Sequence, residues 1–335
     1  MVYIKYLYTL ILSTILTIIS GKVAIPLLRR LKAGQPIYEY VETHKDKKGT
    51  PTMGGLFFII PSVISFLIFS GFKSKTAIFS TSIGLGFMLV GFLDDFIKIR
   101  LKRNQGLKAY QKIIFQLVIS ILAGVYVYVN GYLDFNLPFS TKSISLGVFT
   151  IPFVALIFVA TTNCVNLTDG LDGLATTTSI STFSILSALI LLQINIIPSS
   201  FLNKEEITPL VLLSFSLLGG CLGFLKYNVS KAKVFMGDTG SLSLGAFIAS
   251  IAIFSGNALF IPLLGIMFVI TGISVIIQVL YYKKTKKRIF LMAPLHHHLE
   301  LKGKSESEIG YLYFLISTLV GLLCISIYLW GKYGF

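Results

Sequence analysis

Long apolar runs, each closed by a short polar stretch, recur along the chain. A helix needs about 20 mainly apolar residues to cross a hydrocarbon core. By that measure the runs predict ten transmembrane helices, over 3–28, 54–71, 77–97, 113–130, 147–163, 174–197, 209–226, 240–256, 258–282 and 309–331. Only a turn at Gly256–Asn257 separates the eighth from the ninth. The first run, from Val2 to Ile19, lacks a small-x-small cleavage site and is expected to persist as a helix. No internal repeat is visible. The expected fold is all-α, a polytopic membrane protein built as one transmembrane domain over 1–335 with no separate soluble domain.

Composition agrees with this pattern. The chain is 54% hydrophobic and 13% charged, about half the charge share of a soluble domain. Its formal net charge of +15 would suggest nucleic acid in a soluble protein, but the positions of the basic residues say otherwise. Six Lys and Arg fall in 29–50, six in 98–112, three in 226–239 and seven in 283–308, which is 22 of the 29. All four stretches are odd-numbered connections, and such a bias places them on the cytoplasmic side, with both termini external. No nucleic-acid partner is expected. Cys164, Cys221 and Cys324 lie in or beside apolar runs, with neither a pairing pattern nor metal spacing.

Polar clusters with chemical potential gather on that same side. "GFLDDFIK" puts Asp94 and Asp95 at the end of the third run, where an acidic residue is costly to insert. On a helix the two point about 100° apart, so one can act while a cation braces the other. Their oxygens are the hard ligands Mg²⁺ prefers. The alternative is a helix-end pair solvated at the headgroups and matched by Lys98 or Arg100. Asp169 and Asp172 in "NLTDGLDGLA" are three apart, which would align them on one helical face; a Gly-Asp turn is the alternative. In "VFMGDTGSLSLG", Asp238 is either an N-cap of the eighth helix or a metal ligand at a helix start suited to phosphate. "PLHHHLE" lacks zinc spacing, since consecutive side chains diverge and no second His or Cys set exists. Those rings are better suited to donating hydrogen bonds to phosphate; a solvated loop is the alternative. "KKTKKR" (283–288) reads as topology and anionic-lipid attraction. Together these residues imply a carboxylate-rich, metal-suited cleft at the membrane surface, fit for phosphoryl or phosphosugar transfer with a lipid partner.

"KKGTPTMGG", "GFLDDFIK", "NLTDGLDGLA", "VFMGDTGSLSLG" and "PLHHHLE", in that order over 44–305, resemble the phospho-N-acetylmuramoyl-pentapeptide transferase family. This is a branch of the polyprenyl-phosphate N-acetylhexosamine-1-phosphate transferases. The resemblance implies transfer of phospho-MurNAc-pentapeptide from UDP-MurNAc-pentapeptide to undecaprenyl phosphate. UMP is released and lipid I, an intermediate of peptidoglycan synthesis, is formed. It implies Mg²⁺, a bacterial cytoplasmic membrane with the site facing the cytoplasm, and a homodimer. By position, Asp238 looks like the Mg²⁺ ligand, and Asp94, Asp95, Asp238 and His297 look catalytic. Gly170, Leu171, Asp172 and Phe235 would form the uracil and ribose pocket. Lys47, Thr52, Lys112, Asn166, Asn228, Gln278, His296 and His298 would line the rest of the nucleotide–diphosphate cleft, with Asp169 a weaker member.

Attack on phosphorus by the lipid phosphate itself and attack by a carboxylate nucleophile both remain open at this level. A secondary transporter would carry its carboxylates near the midplane of repeated halves, and a membrane scaffold leaves the clusters unexplained. A sister transferase using UDP-N-acetylglucosamine is the nearest rival.

Overall fold

The computed structural model describes residues 2–31, 49–101, 106–140, 142–196, 204–229 and 231–333. The apolar runs fold as α1 (Val2–Arg30), α2 (Gly55–Ser70), α3 (Lys75–Arg100), α4 (Ala109–Val129), α5 (Thr150–Thr168), α6 (Leu174–Ile196), α7 (Lys204–Asn228), α8 (Gly237–Phe254), the short α9 (Ile261–Leu264), α10 (Ile266–Thr285), the short α11 (Leu295–Leu301) and α12 (Glu306–Tyr333). Among the described residues, nine are long and apolar enough to cross a membrane. The expected second span is the exception: α2 has 16 residues, or about 24 Å at the helical rise. A turn at Gly54 opens it and Gly71, in the left-handed region, closes it. The expected ninth span is also interrupted. Pro262 lies at the start of α9, and Gly265 leaves helical geometry before α10 begins. Two three-residue strands, β1 (Asp134–Asn136) and β2 (Ser143–Ser145), pair antiparallel between α4 and α5. Strands that short carry no readable alternation in sequence.

Helix α8 is the axis, with 89% of its apolar window buried. Small residues along it, among them Gly240, Ser243, Ala246 and Ala249, let neighbouring backbones come close. It packs most extensively on α3 and α5. At the α3 crossing Ser243 Oγ donates to the Gly84 carbonyl at 2.9 Å. A Cβ at Gly91 would fall on the Asp238 carbonyl, so glycine is what permits the approach. By contrast, α1 and α4 bury only 22% and 28% of their windows, as expected of helices with lipid on one side.

The length of α3 explains where its carboxylates sit. Ser74 caps it, its Oγ accepting from the Ala77 N–H at 3.1 Å, and Lys98 and Arg100 stand at its C-terminal end, where cations suit the dipole. Its 26 residues span about 39 Å, and Asp94 lies about 29 Å along it. The hydrocarbon core is roughly 30 Å thick. Asp94 and Asp95 therefore emerge at one boundary of the core rather than within it.

Candidate active site

Four helix ends converge at that boundary, those of α3, α4, α5 and α8. One oxygen from each of Asp94, Asp95 and Asp238 lies within 4.8 Å of the others. Lys98, one turn beyond Asp94, places its Nζ among them, 2.5 Å from Asp94 Oδ2, 3.2 Å from Asp238 Oδ2 and 3.6 Å from Asp95 Oδ1. Lys112, from the first turn of α4, reaches Asp238 Oδ2 at 2.6 Å. Asn166, from the last turn of α5, donates its Nδ2 to Asp238 Oδ1 at 2.8 Å. Three carboxylates against two ammonium groups leave one net negative charge, which a hard cation can offset. The set fits Mg²⁺, which takes one or two carboxylates and completes its shell with water and phosphate oxygens.

The three carboxylates are not equivalent. Asp95 accepts the Thr239 N–H at 3.0 Å and the Thr239 hydroxyl at 2.7 Å. It therefore caps α8 from a different helix and offsets the positive end of its dipole. Asp94 accepts the Leu107 N–H at 2.9 Å, drawing the start of α4 over the site. Asp238 is the most open, its side chain 16% exposed against 4% for Asp94 and 2% for Asp95. The N-cap reading of Asp238 is overturned. The cap position is Met236, without a side-chain cap, and the Asp238 side chain turns toward Lys98, Lys112 and Asn166. Capping comes from Asp95, which is close only once α3 has packed on α8.

The α5–α6 connection corrects a second expectation. Helix α5 ends at Thr168 and α6 begins at Leu174, so Asp169 and Asp172 lie in a turn and share no helical face. Asp169 lies near the start of α8, where the Gly237 N–H works weakly against the upward shift of its carboxyl. Burial, followed by the nearby charges of Asp238 and Asp95, holds Asp169 well above the usual carboxylate range. Asp172 accepts the Ala232 N–H at 2.7 Å, while its own N–H donates to Glu306 Oε2 at 2.8 Å. Leu171 packs inward against Leu174, Met267, Ile309 and Tyr313. His296 is buried against Gly170, where a Cβ would strike its ring.

The segment around Thr52 pairs through its backbone with the irregular stretch leading into α8. The Phe235 N–H donates to the Pro51 carbonyl at 2.8 Å, the Gly54 N–H to the Phe235 carbonyl at 2.9 Å, and the Gly55 N–H to the Met236 carbonyl at 3.0 Å. Thr52 is buried beside Gly237, and Phe235, two residues before Gly237, is half-buried. Lys47 lies outside the described residues. Asn228 is 2% exposed; it accepts from Thr176 Oγ1 at 2.7 Å and donates to the Val234 carbonyl at 3.0 Å. That geometry braces the connection to α8 from inside.

Beyond α10, Gln278 holds the next loop with both ends of its amide. It donates to the Phe290 carbonyl and accepts the N–H groups of Ile289 and Phe290, all at 3.0–3.1 Å. His298 Nδ1 accepts the Leu291 N–H at 3.1 Å, which leaves Nε2 as its donor. His297 Nδ1 faces Glu300 Oε2 at 3.0 Å.

Sequence reasoning assigned Lys98 only as a brace, and it overlooked Leu107, Thr239 as a ligand of Asp95, and Glu306. The i, i+4 spacing of Asp94 and Lys98 was a readable signal. A backbone N–H such as that of Leu107 has none.

The glycosyl transferase family 4 model matches residues 76–256, from the start of α3 to just past α8, and so includes all three carboxylates. Signature 1 of phospho-N-acetylmuramoyl-pentapeptide-transferase matches residues 47–59. The chain is 43% identical over 319 residues to the phospho-N-acetylmuramoyl-pentapeptide-transferase of Caldanaerobacter subterraneus subsp. tengcongensis, covering 95% of this chain and 96% of that one. It is 42% identical over 329 residues to the protein of the same name from Desulfitobacterium hafniense, covering 96% and 97%. With that of Clostridioides difficile the identity is 39% over 327 residues, covering 95% and 96%.

Proposed function

The chain belongs to the phospho-N-acetylmuramoyl-pentapeptide-transferases of glycosyl transferase family 4, and on that footing we propose how its own residues perform the transfer. The reaction moves phospho-MurNAc-pentapeptide from UDP-MurNAc-pentapeptide to undecaprenyl phosphate, releasing UMP and forming lipid I. The setting proposed is a bacterial cytoplasmic membrane, with the site open to the cytoplasm. The observation that carries the placement is the meeting of Asp94, Asp95 and Asp238 with Lys98 and Lys112 at one boundary of the bundle.

Both reactants are polyanions, and phosphoryl transfer is catalysed almost entirely by positioning and charge neutralisation. Lys98 and Lys112 draw the phosphates toward the carboxylates. Asp238, the most open of the three, would hold Mg²⁺ with Asp94 close by. The ion, when bound, offsets charge on the diphosphate. Asp94, held by Lys98 and the Leu107 N–H, orients the lipid phosphate, whose oxygen bonds to the β-phosphorus as the bond to UMP breaks. Asp95 holds the N-terminal turn of α8, and with it Asp238, in place. The 170–172 turn and Phe235 form the base and ribose pocket, where Phe235 supplies an aromatic face. His298, with Nε2 as donor, together with His297 and Thr52, lines the diphosphate path. Lys47 is assigned there by motif alone.

UMP release by the purified chain with undecaprenyl phosphate tests the assignment directly. Release is expected with UDP-MurNAc-pentapeptide and not with UDP-N-acetylglucosamine. The reverse preference would assign the chain to the sister transferases.

A further inference from the structure

Helix α4 brings Lys112 to Asp238, yet most of its surface faces outward. Ile114, Phe115, Val118, Leu122 and Val129 are all exposed. Its inward stripe is Gln116, Ser120, Ala123, Gly124 and Val127. Four of these are small or apolar, and the Ser120 hydroxyl donates back to the Gln116 carbonyl within the helix. Among the described residues, one side-chain hydrogen bond joins α4 to α5: Asn163 Nδ2 donates to Gln116 Oε1 at 2.6 Å.

The orientation of this amide pair is dictated from the α5 side. Asn163 Nδ2 also donates to the Val159 carbonyl at 2.7 Å, so the nitrogen of Asn163 must face that way. Gln116 then presents its oxygen to Asn163, and its buried Nε2 meets no acceptor among the described residues. Buried amides are seldom left so, because an unmade hydrogen bond forfeits the full desolvation cost. An apolar side chain would hold α4 against α5 without that cost. Adhesion alone does not explain the glutamine.

Its place in the ladder does. Lys112 is four residues before Gln116, and Asn166 three after Asn163, so each pair shares a helix face. The amide pair is thus one turn removed from the two groups that close on Asp238, at 2.6 and 2.8 Å. We infer that Gln116 and Asn163 are positioning residues for the transfer. Their bond sets the register of α4 on α5, so that Lys112 and Asn166 meet at Asp238. Slippage of α4 by one turn would carry Lys112 about 5.4 Å away. This role rests on the Asp238 cluster being the active site.

The test compares purified full-length Gln116→Met, Gln116→Asn and the exchange variant Gln116→Asn/Asn163→Gln, with Asp238→Asn as a control. UMP release and melting temperature are measured on each. Gln116→Met removes the orphan donor and keeps the length of the side chain, so its melting temperature should equal or exceed that of the unsubstituted chain. Its kcat should nonetheless fall, by up to about 10²-fold, as for a small misplacement near the chemistry. The exchange variant restores an amide across the interface and should be faster than Gln116→Asn alone. Unchanged kcat in Gln116→Met, a melting temperature that falls together with kcat, or a stable exchange variant that regains nothing would each overturn the positioning role. Full turnover in Asp238→Asn would instead overturn the site itself. An inactive Asp238→Asn beside a fully active Gln116→Met removes only the inference about Gln116 and Asn163.

Discussion

Asp94, Asp95 and Asp238 share a cluster, but their surroundings give them different work. Asp95 is consumed by the N-terminus of α8 and Asp94 by Lys98 and Leu107, while Asp238 keeps an open edge between two lysines. Asp→Asn removes a charge at almost constant volume, so the variants should insert and fold. Turnover should fall by two or more orders of magnitude for Asp94→Asn and for Asp238→Asn, about what one misplaced electrostatic group costs elsewhere. Only Asp238→Asn should also raise the Mg²⁺ concentration needed for half-maximal rate. UMP release titrated with Mg²⁺, on variants of matched melting temperature, checks both. An unshifted Mg²⁺ dependence in Asp238→Asn would assign the metal to another residue. The clustering was legible in the motifs, but the division of labour was not. It depends on which backbone N–H groups arrive beside each carboxylate, and those belong to α4 and α8.

At the scale of elements, the site is made where α3 crosses α8. Gly91 lies under the Asp238 carbonyl, with Ser243 and Gly84 joined one contact further along. Gly91→Ala should therefore push the two helices apart where their carboxylates meet. Overpacking of this kind typically costs about 1–3 kcal/mol, so the melting temperature should drop. Turnover should drop further than stability alone explains, since Asp238 would move relative to Asp94. A second glycine substitution at a site with open space, Gly310→Ala, should leave both properties unchanged. Equal behaviour of the two variants would mean that the crossing distance does not govern the chemistry.

For the whole molecule, the distribution of charge and the position of the site make one claim together. The lysine-rich connections and all three carboxylates fall at the same end of the bundle under the ten-span reading, and positive-inside bias is the ground for proposing that end as cytoplasmic. In intact cells, an impermeant thiol reagent should label Asp134→Cys and spare Lys108→Cys and Lys302→Cys, all three positions being exposed. The native cysteines are buried or half-buried, and the unsubstituted chain supplies the background. Labelling of Lys108→Cys from outside would place the cluster on the opposite face, away from a nucleotide made in the cytoplasm.

Most helices, their order and the residues with chemical capacity can be read from the chain alone, because lipid solvation and carboxylate chemistry are properties of short segments; the shortness of α2 and the break at Gly265 cannot. Runs of about 20 apolar residues announce a helix without any partner, and Asp94, Asp95 and Asp238 stand out as carboxylates at the very edge of such runs. Tertiary structure alone decided what each polar group touches. Asp238 proved not to cap its own helix, Asp169 and Asp172 proved not to share a face, and Asn228 faces inward, because the partners come from segments 50 or more residues away or from turns outside any helix. The pairing of Gln116 with Asn163 across 47 residues is of the same kind. Nothing in the local pattern marks either amide, and only the packing of α4 on α5 brings the two together.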